Sequence, residues 1–170
     1  MIAESYPESR WIGQIDGVVA AVFHLMLGRS CGEADEEVAA GMKVSAKVLF
    51  SGAVEGCCVV EFTAAAARKL TDAFLGAEGG SGIAWDDAMV DDAVGELCNM
   101  IAGGWKSQLG NRDAACHLSS PTIERGMGLV EMSGCGGIRV ERTYGFDGSV
   151  FRVELAIRQG QLLAFSSWLG

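Results

Sequence analysis

Prolines number two in 170 residues, and no low-complexity tract interrupts the chain. Apolar residues make up 49% and charged residues 21%, a composition for burying a core and not for disorder. Basic side chains are scarce: 13 Lys and Arg stand against 22 Asp and Glu, for a formal charge of −9 and a pI near 4.6. That balance excludes nucleic acid as a partner, because backbone phosphates call for Lys and Arg. It also disfavours an anionic membrane surface.

Long hydrophobic runs are missing as well. No stretch reaches the ~20 apolar residues of a spanning helix. "VVAAVFHLML" (18–27) comes nearest, but Asp16 precedes it, His24 interrupts it and no basic cluster opens the chain, so it does not read as a signal peptide. A mature cytoplasmic protein is expected. Histidine is nearly absent, with only His24 and His117. Neither has a motif-like relation to the serines of "SSPTIERG" (119–126), which argues against a Ser–His hydrolase. His117, in an apolar run, is expected to be a satisfied structural histidine. The six cysteines (Cys31, Cys57, Cys58, Cys98, Cys116, Cys135) show no C-x-x-C spacing and no histidine partners. They read as buried free thiols, with no disulfide and no metal. "EGGSG" and "SGCGG" lack the strand and helix context of a phosphate cradle, so they read as loops.

What is present is regular periodicity. Residues 1–10 look like a loose lead-in to one domain over 1–170. Apolar residues at Ile15, Val18, Val19, Val22, Leu25 and Met26 recur at helical spacing up to Gly28. A polar, acidic connector (29–41) follows. Met42, Val44, Ala46 and Val48 alternate with polar residues, as in a strand with one wet face, and "SGAVEG" (51–56) turns it into an antiparallel hairpin. Residues 63–77 read as a helix capped by Thr63. A longer helix is expected over 86–109, with Asp86 as its cap, Trp85 packing on Val90 and Gly110 as its stop. Strand-like segments cover 114–126, 128–135, 136–146 and 149–160. Asp147-Gly148 is a tight turn, and Arg139, Glu141, Arg152 and Glu154 mark wet faces. A helix followed by antiparallel strands thus occurs twice. The fold class is α+β, an antiparallel sheet flanked by helices in a pseudo-duplicated layout.

The long helix carries the unusual residues. Val90, Val94, Leu97, Ile101 and Trp105 share one face and should be buried; Asp92, Glu96, Asn99 and Gly103 share the opposite one, with Lys106 near its end. A polar stripe opposite an apolar one is the ordinary pattern of an amphipathic surface helix, and early acids suit its dipole. That pattern does not explain an Asn in the helix interior, or glycines that cost helix stability. Cys98 adjoins Asn99 but points to the buried side, which counts against an enzyme built on the cysteines.

"AVGELCNMIAGGWKSQL" (93–109) resembles the E-x-x-N helix of the CheC/CheX/FliY family of chemotaxis phosphatases, and within it the CheX branch. "LSSPTIERG" (118–126) is similar to the family's S-x-P-T-x-x-x-G strand segment. The resemblance extends over roughly 11–158. Some members carry E-x-x-N on two helices; here the first helix has Asp16 and Val19 at that spacing, leaving one candidate site. "GLVEMSGCGG" matches nothing in the family pattern. The resemblance implies a phosphatase acting on the aspartyl phosphate of a CheY-like response-regulator receiver. In that role Asn99 would hold the attacking water and Glu96 would dock on the receiver's lysine. Asp92, Gly103 and Lys106 would be partner contacts. Mg2+ would belong to the receiver, with no cofactor in this chain, and a homodimer is compatible with the family. The alternative of the same fold is a non-catalytic receiver-binding, flagellar-switch or scaffold module.

Overall fold

The computed structural model describes residues 8–77, 82–127 and 137–159. Helix α1 spans Glu8–Val22 and passes into a π-helical turn, Phe23–Leu27, so residues 8–10 are helical where a loose lead-in was expected. Gly28 ends the turn at φ 62°. The connector that follows holds a short strand, β1 (Gly32–Glu33), paired with the strand that ends at Phe146. No alternation announces so brief an element.

Strands β2 (Lys43–Gly52) and β3 (Val54–Thr63) form the expected hairpin. Helix α2 (Ala64–Phe74) starts at Thr63, whose Oγ1 accepts from the Ala66 amide at 3.1 Å. Helix α3 (Asp87–Lys106) starts at Asp86, whose carboxylate accepts from the Met89 amide at 2.8 Å. The chain then tightens into a 3-10 segment, Ser107–Ala115, broken at Gly110 with φ 60°. The α-helix is therefore shorter than the 86–109 expected, although Gly110 remains the stop. Residues 114–126 split into β4 (Cys116–Leu118) and β5 (Thr122–Gly126). Both pair with β2 on either side of a Ser119–Pro121 break. Ser119 Oγ accepts from the Leu49 amide at 2.9 Å and replaces a ladder bond at the break. Strands β6 (Ile138–Phe146) and β7 (Ser149–Gln159) close the sheet. Asp147 and Gly148 both have positive φ, 46° and 72°, the backbone of a type I′ hairpin turn. The strand expected over 128–135, the break at 78–81 and Cys135 lie outside the described residues.

The sheet is antiparallel throughout, in the order β1-β6-β7-β3-β2-β4, with β5 also on β2. The pairing β3–β7 joins the two hairpins at the centre. Helix α3 lies on β2 and β3, α1 on β1 and β6, and the two helices touch each other. Each long helix thus covers the other half's hairpin. The inward residues of the strands pack with these helices, with α2 and with the π-helical turn in one core. Phe62 stacks on Phe151 at 4.8 Å and 5°, and Phe23 packs 5.3 Å from Phe151, anchoring the end of α1. Phe50 meets Trp105 edge-on at 5.2 Å and anchors the end of α3. Burying one such side chain contributes about 1.5–3 kcal/mol.

The other face of the sheet differs from expectation. Arg139 and Glu141 are exposed, but Glu154 is 2% exposed, Glu61 0% and Lys43 9%, and the Arg152 side chain is largely buried. Glu61 pairs with Lys43 at 3.2 Å and with Arg152 at 3.4 Å. Arg152 also reaches Glu141 at 3.3 Å and Glu154 at 3.7 Å, and Glu154 pairs with Arg139. Cys57, Val59 and Ala156 form a small buried cluster on the same face. Alternation within one strand marks these charges as solvated. Their cross-strand partners offset the desolvation cost and let them bury.

Candidate functional site

Helix α3 is held at both ends and along one flank before its outer face comes into question. At its start, Arg125 of β5 donates to Asp91 Oδ1 through Nε and Nη2 at 2.9 and 2.5 Å and to the Asp87 carbonyl at 3.1 Å. Trp85 Nε1 donates to Asp72 of α2 at 2.7 Å. In the middle, a Cβ on Gly95 would stand 3.3 Å from Ile123 Cδ1 and 3.5 Å from Pro121 Cβ. "SSPTIERG" therefore works as a brace: Pro121 and Ile123 set how close the helix sits, and Arg125 fixes its rotation. Sequence reasoning matched this segment but gave Arg125 no role, because nothing along the chain places it beside Asp91.

The two consecutive glycines of α3 do different things. A Cβ on Gly104 would lie 2.7 Å from Val18 Cγ1, so this glycine permits α1 and α3 to touch. A Cβ on Gly103 would meet nothing within 4 Å. Gly104→Ala is expected to cost about 1–3 kcal/mol through overpacking. Gly103→Ala is expected to stabilise the free protein by up to ~1 kcal/mol, since alanine is the better helix former. Thermal or urea unfolding of the two variants checks the contrast, and two shifts of the same sign would contradict it.

With its flanks occupied, α3 presents one outward ridge. Val90, Val94, Leu97, Ile101 and Trp105 are all buried, as expected. Asp92, Glu96 and Asn99 are exposed; Gly103 and Lys106 are half-buried. The structure thus brings the five sequence-predicted residues onto one side of one helix. Among the described residues, the side chains of Glu96 and Asn99 form no hydrogen bond or ion pair. An unengaged carboxylate and an unengaged amide one turn apart, on a helix braced from three directions, form a rigid probe. The amide offers a donor and an acceptor together, and the carboxylate offers two acceptor oxygens.

Helix α1 offers no second probe. Asp16 is half-buried and accepts from the Tyr144 hydroxyl at 2.7 Å, with Arg142 Nε 3.8 Å away. Val19, at the position of the Asn, is fully buried. Burial and the Asp16 carboxylate push the Tyr144 hydroxyl's pKa up, which keeps it a donor. The carboxylate on α1 therefore ties that helix to β6.

Among the described residues, the cysteines lie in settings that do not favour a nucleophile. Cys98 is fully buried, and its Sγ donates to the carbonyls of Ala46 and Cys58 at 3.4 and 3.5 Å. Contact with the Cys98 thiol, together with burial, raises the Cys58 pKa; burial pushes Cys31 up to about 12. Protonated thiols of this kind are poor nucleophiles at neutral pH. His117, expected to be a satisfied structural histidine, is exposed on β4, where its neighbour Cys116 takes the buried face.

An antiparallel sheet of this order, flanked by helices, is an α+β architecture. The family model described as chemotaxis phosphatase CheX matches residues 44–141, and the chain belongs to that family. Among solved structures, it is similar to the chemotaxis protein CheX of Vibrio vulnificus at 21% identity. The match covers 91% of this chain and 100% of that one, with a TM-score of 0.71. It is similar to CheX in a CheX–CheY–BeF3–Mg2+ complex of Borrelia burgdorferi at 20% identity, with 88% and 98% covered and a TM-score of 0.65. Thermotoga maritima FliY matches at 19% identity, with 91% and 92% covered and a TM-score of 0.60. A comparison with curated proteins found no match. Among the described residues no helix is long and apolar enough to cross a membrane.

Proposed function

We propose that this chain hydrolyses the aspartyl phosphate of a response-regulator receiver domain, with α3 entering the receiver's phosphorylation site. The observation that carries this reading is the exposed, internally unengaged pair Glu96 and Asn99 on a braced helix. Membership of the CheX family supports it, as does the similarity to a CheX solved together with CheY, BeF3 and Mg2+.

The chemistry asks little of the protein beyond placement. An acyl phosphate is already reactive, and its hydrolysis needs a water in line with the phosphorus–oxygen bond that breaks. In this reading the Asn99 amide holds that water, its oxygen accepting a water O–H and its N–H2 donating to one lone pair, so that the other lone pair faces phosphorus. The water adds to phosphorus, the bond to the receiver carboxylate breaks, and inorganic phosphate leaves with the proton balance met by solvent. Glu96 pairs with the receiver's lysine and sets the depth of entry. Gly103 gives the receiver backbone room against the helix, while Asp92 and Lys106 lie along the same contact. The divalent cation is the receiver's. The chain acts as a single domain, and catalysis needs only one copy of α3, whether the protein is a monomer or a homodimer.

The test is release of phosphate from receiver domains phosphorylated in vitro, followed with and without this protein. Faster release from one receiver supports the reading. Binding with no acceleration of release supports the non-catalytic module of the same fold. Glu96→Ala should raise the Michaelis constant by about 10- to 150-fold, the equivalent of losing a charge-assisted hydrogen bond of ~1.5–3 kcal/mol. Turnover at saturation should change little, and Glu96→Lys should be worse because it opposes a lysine. A Glu96→Ala protein with unchanged Michaelis constant and lowered turnover would reassign the carboxylate to the chemical step.

A further inference from the structure

We infer that the receiver contact extends beyond Asp92 to Met89, which acts as the apolar anchor of the interface and seats against an apolar side chain beside the receiver's phosphorylation site. This rests on the receiver reading above. Met89 is the exception among the large apolar residues of α3. Val90, Val94, Leu97, Ile101 and Trp105 are buried and Met100 half-buried, while Met89 is 38% exposed. Its place on the helix is what gives the exposure meaning. Seven residues before Glu96, it lies only ~20° from that residue around the helix and ~10.5 Å along the axis. It therefore continues the ridge Asp92–Glu96–Asn99–Gly103 towards the helix start.

Two further observations make this end a contact surface. The bond from Trp85 to Asp72 holds the end of α2 against the start of α3. Leu75, which caps α2, and Ile83, just ahead of α3, are 51% and 50% exposed. Both flank the Trp85–Asp72 bond in sequence and are exposed, as Met89 is. The charge on its own stretch of helix has one sign. Residues 87–99 carry Asp87, Asp91, Asp92 and Glu96 and no Lys or Arg. Arg125 of β5, which reaches this stretch, is taken up by Asp87 and Asp91. An apolar contact with an acidic border on a helix that carries the reactive pair fits an occupant with an apolar side chain bordered by basic ones. Such an arrangement follows the general anatomy of interfaces, in which polar groups give register and a central apolar contact gives affinity. The partial charges at the ridge would otherwise have to hold the receiver alone, in competition with water.

The experiment measures both hydrolysis and binding with the whole protein. Binding uses the receiver loaded with beryllofluoride and Mg2+, a stable stand-in for the acyl phosphate. Met89→Ala should weaken binding and raise the Michaelis constant by about 5- to 10-fold, with turnover at saturation unchanged. Met89→Leu should restore most of the affinity, and the melting temperature of both variants should match the parent. Ala21→Lys, placed on the exposed side of α1 in the shallow groove against α3, serves as the control and should leave both readouts unchanged. Affinity within twofold of the parent for Met89→Ala, or an effect at Ala21 with none at Met89, overturns the inference. A parent protein that binds the receiver without hydrolysing its phosphate overturns the catalytic reading alone, and the binding comparison still decides the role of Met89. A parent that binds no receiver overturns both.

Discussion

Asn99→Ala is expected to dephosphorylate its receiver about 10²- to 10³-fold more slowly than the parent protein, with binding to the receiver nearly unchanged. The size follows from the role. When a reaction depends on alignment, loss of the aligning group costs about what a misplacement of ~1 Å costs, and removal of one preorganised polar contact at a reacting centre costs a similar factor. The fold should survive, because Asn99 is exposed and makes no hydrogen bond among the described residues. Alanine is also the better helix former, so the variant should melt at or slightly above the parent temperature. Single-turnover release of phosphate at saturating protein separates the chemical step from docking, and Asn99→Gln tests reach, since it keeps the amide but moves it by one methylene. If Asn99→Ala turns over its receiver as fast as the parent, the water-positioning role is wrong. The Glu96 and Asn99 variants should separate, one in the Michaelis constant and the other in turnover; this is a stronger signature than either loss alone.

The second large effect concerns stability. Glu61→Leu is expected to cost about 3–5 kcal/mol, because it leaves Lys43 and Arg152 without their shared carboxylate inside the sheet. For a chain of this size that corresponds to a fall in melting temperature of roughly 6–20 °C. The double variant Lys43→Met with Glu61→Leu should recover a large part of the loss, since the ammonium that would be stranded is removed with its partner. Arg152 then keeps Glu141 and Glu154 as partners. Thermal unfolding of the two proteins decides it. A Glu61→Leu protein as stable as the parent would show that the pairs give no net stability, and a double variant less stable than Glu61→Leu would contradict the stranded-charge account. Neither change touches α3, so phosphate release per folded molecule should stay at the parent level.

Much of the molecule was legible along the chain because its signals are local. A helix announces itself through a period of 3.6, a hairpin through alternation around a turn, and a cap through one side chain, which is why α2 and α3 begin at Thr63 and Asp86 as read. The two sides of α3 were legible for the same reason: the angular step of a helix is fixed, so burial at Val90 entails exposure at Asp92, Glu96 and Asn99. Asp147-Gly148 names its own turn, since few residue pairs accept two positive φ angles.

Tertiary structure decided whatever depends on a partner distant in sequence. Arg152 and Glu154 look solvated in their own strand, and their burial is tolerated because opposite charges lie across the ladder, 91 residues apart in the case of Glu61 and Arg152. Gly103 and Gly104 are indistinguishable in the sequence, and only Val18 on another helix separates a packing glycine from an open one. Val19 already ruled out a second site in the sequence, but only the fold showed that Asp16 is held by Tyr144. Arg125 became the brace of α3 only when the sheet carried it to Asp91. The sequence by itself determined which side chains the helix would show to solvent, because that is a matter of angle. Close packing and charge pairing between distant segments determined how the helix is held against the sheet and its neighbours.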